Sequence, residues 1–106
     1  MGQLQGFQKR FLRSLAHPLK PVVFVGQKGL TAALTDAMNE ALDSHELIKV
    51  KFIDFKEKSK KLALAEQIEA TVPCEMVGMV GHMVIFYRRQ NDPKKRKITI
   101  PRRSEE

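Results

Sequence analysis

The stretch that decides the fold runs from Lys20 to Thr31 and reads KPVVFVGQKGLT. Its residues 22–25 are apolar and mostly β-branched, a pattern typical of a short buried strand. The apolar run stops at Gly26, and a helical spacing of apolar residues begins just after Gly29. Residues 26–29, GQKG, are therefore predicted to form a strand-to-helix turn with a glycine at each end and the cation of Lys28 inside.

Such a turn suits an anion for two physical reasons. Glycine backbone adopts positive φ angles easily and can approach a ligand closely. The following helix directs unpaired N–H groups and the positive end of its dipole toward the turn, so the turn can hold a phosphate. GxxG turns are also common for structural reasons alone. The second example in this chain, at 78–81, has apolar residues between its glycines and is interpreted as structural.

Length and charge bound the class of protein. The 106 residues are enough for one domain with a modest core, and we expect that domain to span 1–106 with its core at about 4–102. There are 19 Lys and Arg residues against 12 Asp and Glu residues, a net charge of +7. This excess favours a polyanionic partner, nucleic acid before an anionic membrane. Simple solubility is the alternative explanation.

The sequence also predicts where the protein works. It has no apolar run near the roughly 18 residues of a membrane span, and its N-terminus lacks the apolar region of a secretory signal. The single cysteine, Cys74, excludes an internal disulfide and fits a reducing compartment. We expect a cytoplasmic protein, monomeric when free, that binds neither a membrane nor a small-molecule substrate.

The remaining apolar patterns predict helices at 4–16, 30–43 and 57–71 and strands at 46–55, 75–80 and 82–87. With the strand at 22–25, the order is α-β-α-β-α-β-β. This order is typical of an α/β fold, a single compact domain in which helices pack on a mixed four-stranded sheet. Residues 98–100 are a candidate for one more short strand. Gly29 and Thr31 are both candidates to cap the second helix.

Helical and strand periodicity assign the buried faces. In the strand at 46–55, one face carries Ile48, Val50 and Phe52 and the other carries Lys49 and Lys51. The predicted buried helix faces are Leu4, Phe7, Phe11 and Leu15 in the first, Leu30, Leu34, Ala37, Met38, Ala41 and Leu42 in the second, and Leu62, Ala65, Ile68 and Val72 in the third.

No catalytic constellation is evident. His17, His45 and His82 are scattered along the chain, and one cysteine cannot supply a thiolate metal cluster. Pairing of Cys74 with a histidine would require proximity in space, and a cysteine entering an apolar strand is more often a small hydrophobe. We therefore expect a protein that is not an enzyme and has no metal site and no cofactor.

Basic groups occur in the first helix, at the glycine turn, on the second strand, before the third helix and at the C-terminal end. Phosphate contacts from such groups supply affinity without sequence information. Tyr87 and most of the six phenylalanines fall on predicted buried faces, so no aromatic stacking platform is evident and backbone recognition is expected. A lysine cluster at the start of the third helix opposes the helix dipole and invites an anion, with a solvated face as the alternative. That cluster comprises Lys56, Lys58, Lys60 and Lys61.

Five separated motifs resemble one known family. They are HPLKPVV at 17–23, GQKGLT at 26–31, HELIKVK at 45–51, VIFYR at 84–88 and RKITIPR at 96–102. In this order they closely resemble the CRM domain, named for chloroplast RNA splicing and ribosome maturation, in its stand-alone bacterial form called YhbY. The resemblance covers about residues 4–102.

The resemblance implies an RNA-binding module with a fold similar to the C-terminal domain of translation initiation factor three. It implies a role in ribosome biogenesis, on rRNA of large-subunit (pre-50S) precursors, which fits a single domain better than the intron splicing of multi-domain members. The family's GxxG loop falls on Gly26 to Gly29 and is compared with the KH loop that clamps a nucleic-acid backbone.

We therefore expect Gly26, Gln27, Lys28 and Gly29 to contact the RNA backbone. The basic residues expected to extend this surface are Lys9, Arg10, Arg13, Lys20, Lys49, Lys51, Arg88 and Arg89. The basic C-terminal end is placed at 88–106. Alternative functions are a structural ribosomal component, a DNA-binding protein and, disfavoured by the missing catalytic set, an RNA-modifying enzyme.

Overall fold

A computed structural model describes residues 4–102. Its elements are α1 (Gly6–Ala16), β1 (Pro21–Val25), α2 (Ala32–His45), β2 (Leu47–Phe52), α3 (Lys58–Thr71), β3 (Glu75–Val80), β4 (Met83–Tyr87) and a 3-10 turn (Pro93–Lys95). The predicted order of elements is confirmed. None of the three α-helices in residues 4–102 has the length and apolar composition needed to cross a bilayer.

The four strands form one mixed sheet in the order β1-β2-β4-β3. The pair β1/β2 is parallel, whereas β4 runs antiparallel to both β2 and β3. Consequently β1 and β3 are the edge strands. The carboxyl ends of β1 and β2 and the amino end of β4 meet at one end of the sheet, which we call the turn end because residues 26–29 follow β1 there.

Helices cover both faces of the sheet. On the first face α2 and α3 enclose the larger core, which includes Val23, Val25, Met38, Ile48, Val50, Phe52, Leu64, Ile68, Val84 and Phe86. On the second face α1 packs against β3, β2 and β4. The smaller core there consists of Leu12, Ala16, Leu47, Val77, Ile85 and Tyr87.

The predicted burial of β1 is wrong for two of its residues. Val23 and Val25 are buried in the larger core, but Val22 is 48% exposed and Phe24 is 55% exposed. These two side chains point to the second face of the sheet because neighbouring residues alternate along a strand. The helix on that face packs on the other three strands, so the second face of β1 remains open to solvent.

The predicted stripe of α1 is rotated relative to the observed one. Leu15 is 40% exposed, whereas Leu12 and Ala16 are fully buried. These two residues lie four apart on one helix face, and that face meets the sheet. Leu4 and Phe11 pack against the margin of the smaller core.

Smaller corrections concern the other elements. Ala37 is exposed rather than buried. The second helix starts later than predicted, and Thr31 caps it: the Thr31 hydroxyl accepts the N–H of Leu34 at 3.1 Å. β2 is shorter than predicted at both ends: Glu46 at φ +63° precedes it, and residues 53–55 lie beyond it. Residues 98–100 form no strand, since the N–H of Ile98 is bound by the Glu46 carboxylate instead.

Candidate nucleic-acid interface

The turn between β1 and α2 is closed by its own backbone. The N–H of Gly29 donates to the carbonyl oxygen of Gly26 at 3.0 Å, the hydrogen bond of a four-residue β-turn. Gln27 and Lys28 occupy the two corners, and both are exposed. The turn thus presents one amide and one ammonium group to solvent immediately before the amino end of α2.

The two glycines of the turn have different roles. Gly29 has φ +67°, and a Cβ added there would lie 3.7 Å from Leu64. A side chain is therefore strained at this position by its backbone conformation rather than by crowding. A Cβ on Gly26 would meet only the Asp54 carboxylate, at 3.9 Å. Gly29 is needed to make the turn, while Gly26 leaves its backbone accessible from outside.

A groove lies on each side of the turn. One, of about 700 Å³, runs along the free edge of β1. Its lining includes Phe24, Lys28 and, from α2, Ala33, Leu34 and Ala37. The second, of about 420 Å³, lies between the turn and α3, where Lys28 and Lys60 both line it. Lys28 borders both grooves, so a chain passing through either one passes this ammonium group.

The predicted basic residues do not form one patch around the turn. Lys51 pairs in register with Phe24 and Met83 at the turn end of the sheet. Tyr87 pairs with Leu47 at the opposite end, so Arg88 and Arg89 follow β4 there. The four residue steps from Lys51 to Leu47 correspond to about 13 Å. Lys20, which precedes β1, also lies at the opposite end.

Four of the predicted contacts are already used within the fold. Arg13 donates to the carbonyl of Val77 at 2.9 Å. Lys49 donates to two carbonyls of the α1–β1 connection, those of His17 at 3.0 Å and Leu19 at 3.1 Å. Lys9 lies 3.7 Å from the Glu75 carboxylate.

Arg88 is the most firmly held of the four. Its guanidinium donates to the Asn39 side-chain oxygen at 2.7 Å and to the Asp43 carboxylate at 2.8 Å. These bonds join the end of β4 to α2, and the Arg88 side chain is only 16% exposed. Arg88 therefore stabilises the fold first, and its geometry leaves little of the guanidinium for a ligand.

Other predicted cations remain available. In residues 4–102, no hydrogen bond or ion pair engages the side chains of Lys28 and Lys51, which are both exposed at the turn end. Arg10, Lys20 and Arg89 are also exposed, away from the turn. Of the basic end predicted at 88–106, residues 103–106 lie outside the described part of the chain.

The lysine cluster 56–61 is divided by the fold. Lys61 is 6% exposed and donates to the carbonyl of Gly81 at 2.7 Å, tying α3 to the β3–β4 turn. Lys60 is on the surface, 4.0 Å from the Glu57 carboxylate, and lines the groove that also contains Lys28. Lys60 can contact an anion held at the turn, whereas Lys61 cannot.

Phe24 was missed by sequence reasoning, which placed residues 22–25 inside the core. A run of four apolar residues does not reveal which face is covered. The available signal was the neighbouring strand: Lys49 and Lys51 alternate with core residues, so one face of the sheet was already predicted to be polar. Lys60 and Lys61 are adjacent in sequence. The rotation of α3 about its axis places Lys60 on the surface and buries Lys61.

The candidate nucleophile, Cys74, is buried in the larger core. Burial raises the pKa of the Cys74 thiol to about 12, and the nearby Glu69 carboxylate acts in the same direction while Arg88 opposes it. The thiol is therefore protonated at neutral pH. Cys74 and His82 flank opposite ends of β3, a separation of about 20 Å along extended chain. Residues 4–102 contain no cluster of three His, Cys, Asp or Glu side chains suited to a metal ion.

Comparison with known proteins identifies relatives over nearly the whole chain. An "RNA-binding protein" of Haemophilus influenzae is 37% identical over 103 residues, covering 97% of this chain and 100% of the relative. A "probable RNA-binding protein" of Pseudomonas aeruginosa is 36% identical over 95 residues, 90% of each chain. The "probable RNA-binding protein YqeI" of Bacillus subtilis is 35% identical over 98 residues, covering 92% of this chain and 99% of the relative.

The fold has a solved counterpart. A solution structure of a Staphylococcus aureus protein superposes with a TM-score of 0.81 at 32% identity, covering 93% of this chain and 100% of the other. The family model described as the CRS1 / YhbY (CRM) domain matches residues 4–88. That span includes the turn, both grooves and every strand of the sheet. The chain therefore belongs to the CRS1/YhbY (CRM) domain family.

Proposed function

We propose that this protein binds RNA through the turn at residues 26–29 and acts in assembly of the large ribosomal subunit. The observation that carries the proposal is the closed turn itself, which exposes Gln27 and Lys28 between two grooves at the amino end of α2. The first turn of α2 contains no acidic residue, so no carboxylate there offsets the positive end of the helix dipole. A phosphate placed at the turn would be held by that field and by Lys28.

The basic residues of the wider surface differ in how far they are from the turn and in whether the fold already engages them. Lys51 and Lys60 are near the turn and exposed, so we propose that they follow the RNA backbone away from Lys28. Arg10, Lys20 and Arg89 are exposed at greater distance and would act on a longer RNA. Lys9, Arg13, Lys49 and Arg88 have partners in the fold, and we propose that their contribution is chiefly to position the surface.

The names of the relatives support an RNA partner, and the ribosomal part of the proposal rests on the resemblance to the stand-alone bacterial form of the CRM domain alone. The partner would be rRNA of large-subunit precursors, and the place of action the cytoplasm. The turn acts by binding, and neither a cofactor nor a bond-making residue enters the proposal. A structural ribosomal component and a DNA-binding protein are the alternatives to be tested.

RNA binding at the turn can be tested with two variants, one that removes a positive charge there and one that removes a negative charge. Lys28→Glu should weaken binding of a labelled RNA in fluorescence anisotropy and lower the salt slope by about 1, with an unchanged melting temperature. Asp54→Asn should strengthen binding, because the exposed Asp54 carboxylate beside Gly26 repels phosphate. Lys94→Glu, in the exposed 3-10 turn, is the matched charge control. Equal losses for Lys28→Glu and Lys94→Glu would mean that net charge, and not the turn, determines affinity.

Competition and sedimentation test the partner. Duplex DNA of equal length should compete poorly with RNA; equal competition would favour the DNA-binding alternative. In sucrose gradients of growing cells, the protein should migrate with immature large subunits in substoichiometric amounts and leave them when Gln27→Asp and Lys28→Asp are combined. Stoichiometric presence in mature particles would favour a structural component. Migration only at the top would contradict the ribosomal role.

A further inference from the structure

One row of side chains crosses the second face of the sheet at its turn end. Phe24 of β1 is in register with Lys51 of β2, Lys51 with Met83 of β4, and Met83 with Val80 of β3. Residues paired directly across neighbouring strands project to the same face. We call these four residues the sheet-end row. It lies next to the turn, since Phe24 is two residues before Gly26.

The helix on this face does not cover the sheet-end row. The smaller core under α1 uses Ile85, two residues beyond Met83, and Leu47, four residues before Lys51. At the row itself Phe24 is 55% exposed and Val80 is 64% exposed. Lys51 is exposed and Met83 is half-buried. An apolar strip with a cation in its middle is thus left open across the whole width of the sheet.

The chemistry of the row favours one kind of occupant. A phenyl ring face offers stacking to a planar base, and this interaction tolerates any base because every base has a π face. Lys51, next to Phe24 in the row, suits the phosphate attached to that base. Phe24 also lines the same groove as Gly26 and Lys28, so a strand held at the turn reaches the ring directly.

Charge argues against self-association through the row. A second copy of this chain would bring a net charge of +7 against another +7. It would also bring Lys51 toward the same residue of its partner in any twofold contact centred on the row. An anionic partner with flat apolar groups has neither penalty, and single-stranded RNA has both features.

Building on the proposed RNA binding, we propose that the sheet-end row stacks an unpaired RNA base on Phe24. Lys51 contacts the adjoining phosphate, while Met83 and Val80 extend the apolar surface for the neighbouring sugar or base. The turn would hold the backbone and the row would hold a base, so the protein would prefer RNA with unpaired nucleotides over a continuous duplex.

The test is binding of a short single-stranded RNA, measured by fluorescence anisotropy over a range of salt concentrations. Phe24→Ala should weaken binding about 5- to 150-fold, the loss expected for one stacked base, and leave the salt slope unchanged because no phosphate contact is removed. Phe24→Tyr should retain the affinity, while Phe24→Leu, which keeps an apolar group without a ring face, should not. Lys51→Ala should lower the salt slope by about 1. Phe24 is exposed, so equal melting temperatures of these variants are expected and are measured alongside.

Three outcomes would overturn the stacking site, and each can be distinguished from a result that contradicts RNA binding at the turn. Unchanged affinity of Phe24→Ala, with Lys28→Glu still impaired, would remove the stacking site and leave the proposed function intact. An equal loss on a blunt RNA duplex would show that Phe24 does not act on an unpaired base. A wild-type dimer that dissociates in Phe24→Ala, with RNA affinity unaltered, would assign the row to self-association. Wild-type protein that binds no RNA would overturn both proposals.

Discussion

The Glu46 carboxylate accepts the backbone N–H of Lys97 at 2.6 Å, across 51 positions of the chain. The same oxygen accepts the N–H of Ile98 at 3.1 Å, and the other oxygen accepts that of Gln90 at 2.9 Å. Glu46 is 1% exposed and has φ +63°, a conformation that residues with a side chain rarely adopt. One strained residue at the end of α2 thereby holds the basic segment 90–98 on the fold.

Loss of this carboxylate should release the basic segment. Glu46→Ala removes three charge-assisted hydrogen bonds and should lower the free energy of unfolding by about 2 kcal/mol or more. Amide hydrogen exchange at Gln90, Lys97 and Ile98 should accelerate before global unfolding. The control is Glu40→Ala on the exposed side of α2, which should change neither. Unchanged exchange at the three amides in Glu46→Ala would show that the segment is held by other contacts.

The two glycines of the turn should respond in opposite ways to alanine. Gly29→Ala forces a Cβ onto backbone at φ +67° and should cost about 1 kcal/mol of stability. Gly26→Ala meets only the Asp54 carboxylate at 3.9 Å, so its stability should stay near that of the wild type. If Gly26 allows close approach of the RNA backbone, Gly26→Ala should still weaken RNA binding. Chemical denaturation and anisotropy on the same two variants separate these effects, and equal destabilisation by both would contradict the assignment.

The buried face of a strand could be predicted best where apolar and polar residues alternate along it. Along β2, Ile48 and Val50 alternate with Lys49 and Lys51, so the face that meets α2 and α3 was unambiguous. In β1 both faces are apolar, and only the position of α1 on the other three strands determines that Phe24 is exposed. The order of elements and the family could therefore be predicted, whereas the open row beside the turn could not.

The cations of the candidate site show a second limit of prediction from sequence. Gln27 and Lys28 could be predicted as candidate contacts because the glycine spacing around them is local. The role of Arg88 depends on Asp43, 45 positions away, and that of Lys61 on the carbonyl of Gly81. Local patterns contain no information on such partners, so structural and surface cations look alike in the sequence.

Arg13 and Gly78 should be energetically coupled. A Cβ on Gly78 would lie 2.5 Å from Cδ of Arg13, while the Arg13 guanidinium donates to the Val77 carbonyl at 2.9 Å. Gly78→Ala should therefore displace Arg13 and cost about 1–3 kcal/mol. The cost should shrink when Arg13→Ala is already present. Denaturant unfolding of the two single variants and the double variant measures the coupling; strictly additive losses would mean that the glycine serves the strand and not the arginine.

Alkaline pH should destabilise the protein through Cys74. Its pKa rises from 9.0 to about 12 on burial, so the thiol favours folding below pH 9.0. Above that value the unfolded chain loses the proton while the folded chain keeps it, and stability falls as the pH approaches about 12. Cys74→Ala should lose less stability than the wild type between about pH 8 and about pH 11. Identical pH profiles in urea titrations would show that the thiol is not responsible.

Tyr87 should tolerate loss of its hydroxyl group. The residue is 2% exposed, and its hydroxyl oxygen has no hydrogen-bond partner within residues 4–102. Burial, with a smaller effect of the Glu46 carboxylate, raises the Tyr87 pKa to about 12 despite Arg89 and Arg96 nearby. A buried hydroxyl without a partner costs free energy, so Tyr87→Phe should leave stability unchanged or raise it by up to about 1 kcal/mol. The variant should also lose part of the decline in stability above about pH 10.

Phe86→Leu, in the core on the other face of β4, is the packing control and should destabilise. A clear loss of stability in Tyr87→Phe at neutral pH would mean that the hydroxyl is bonded in solution.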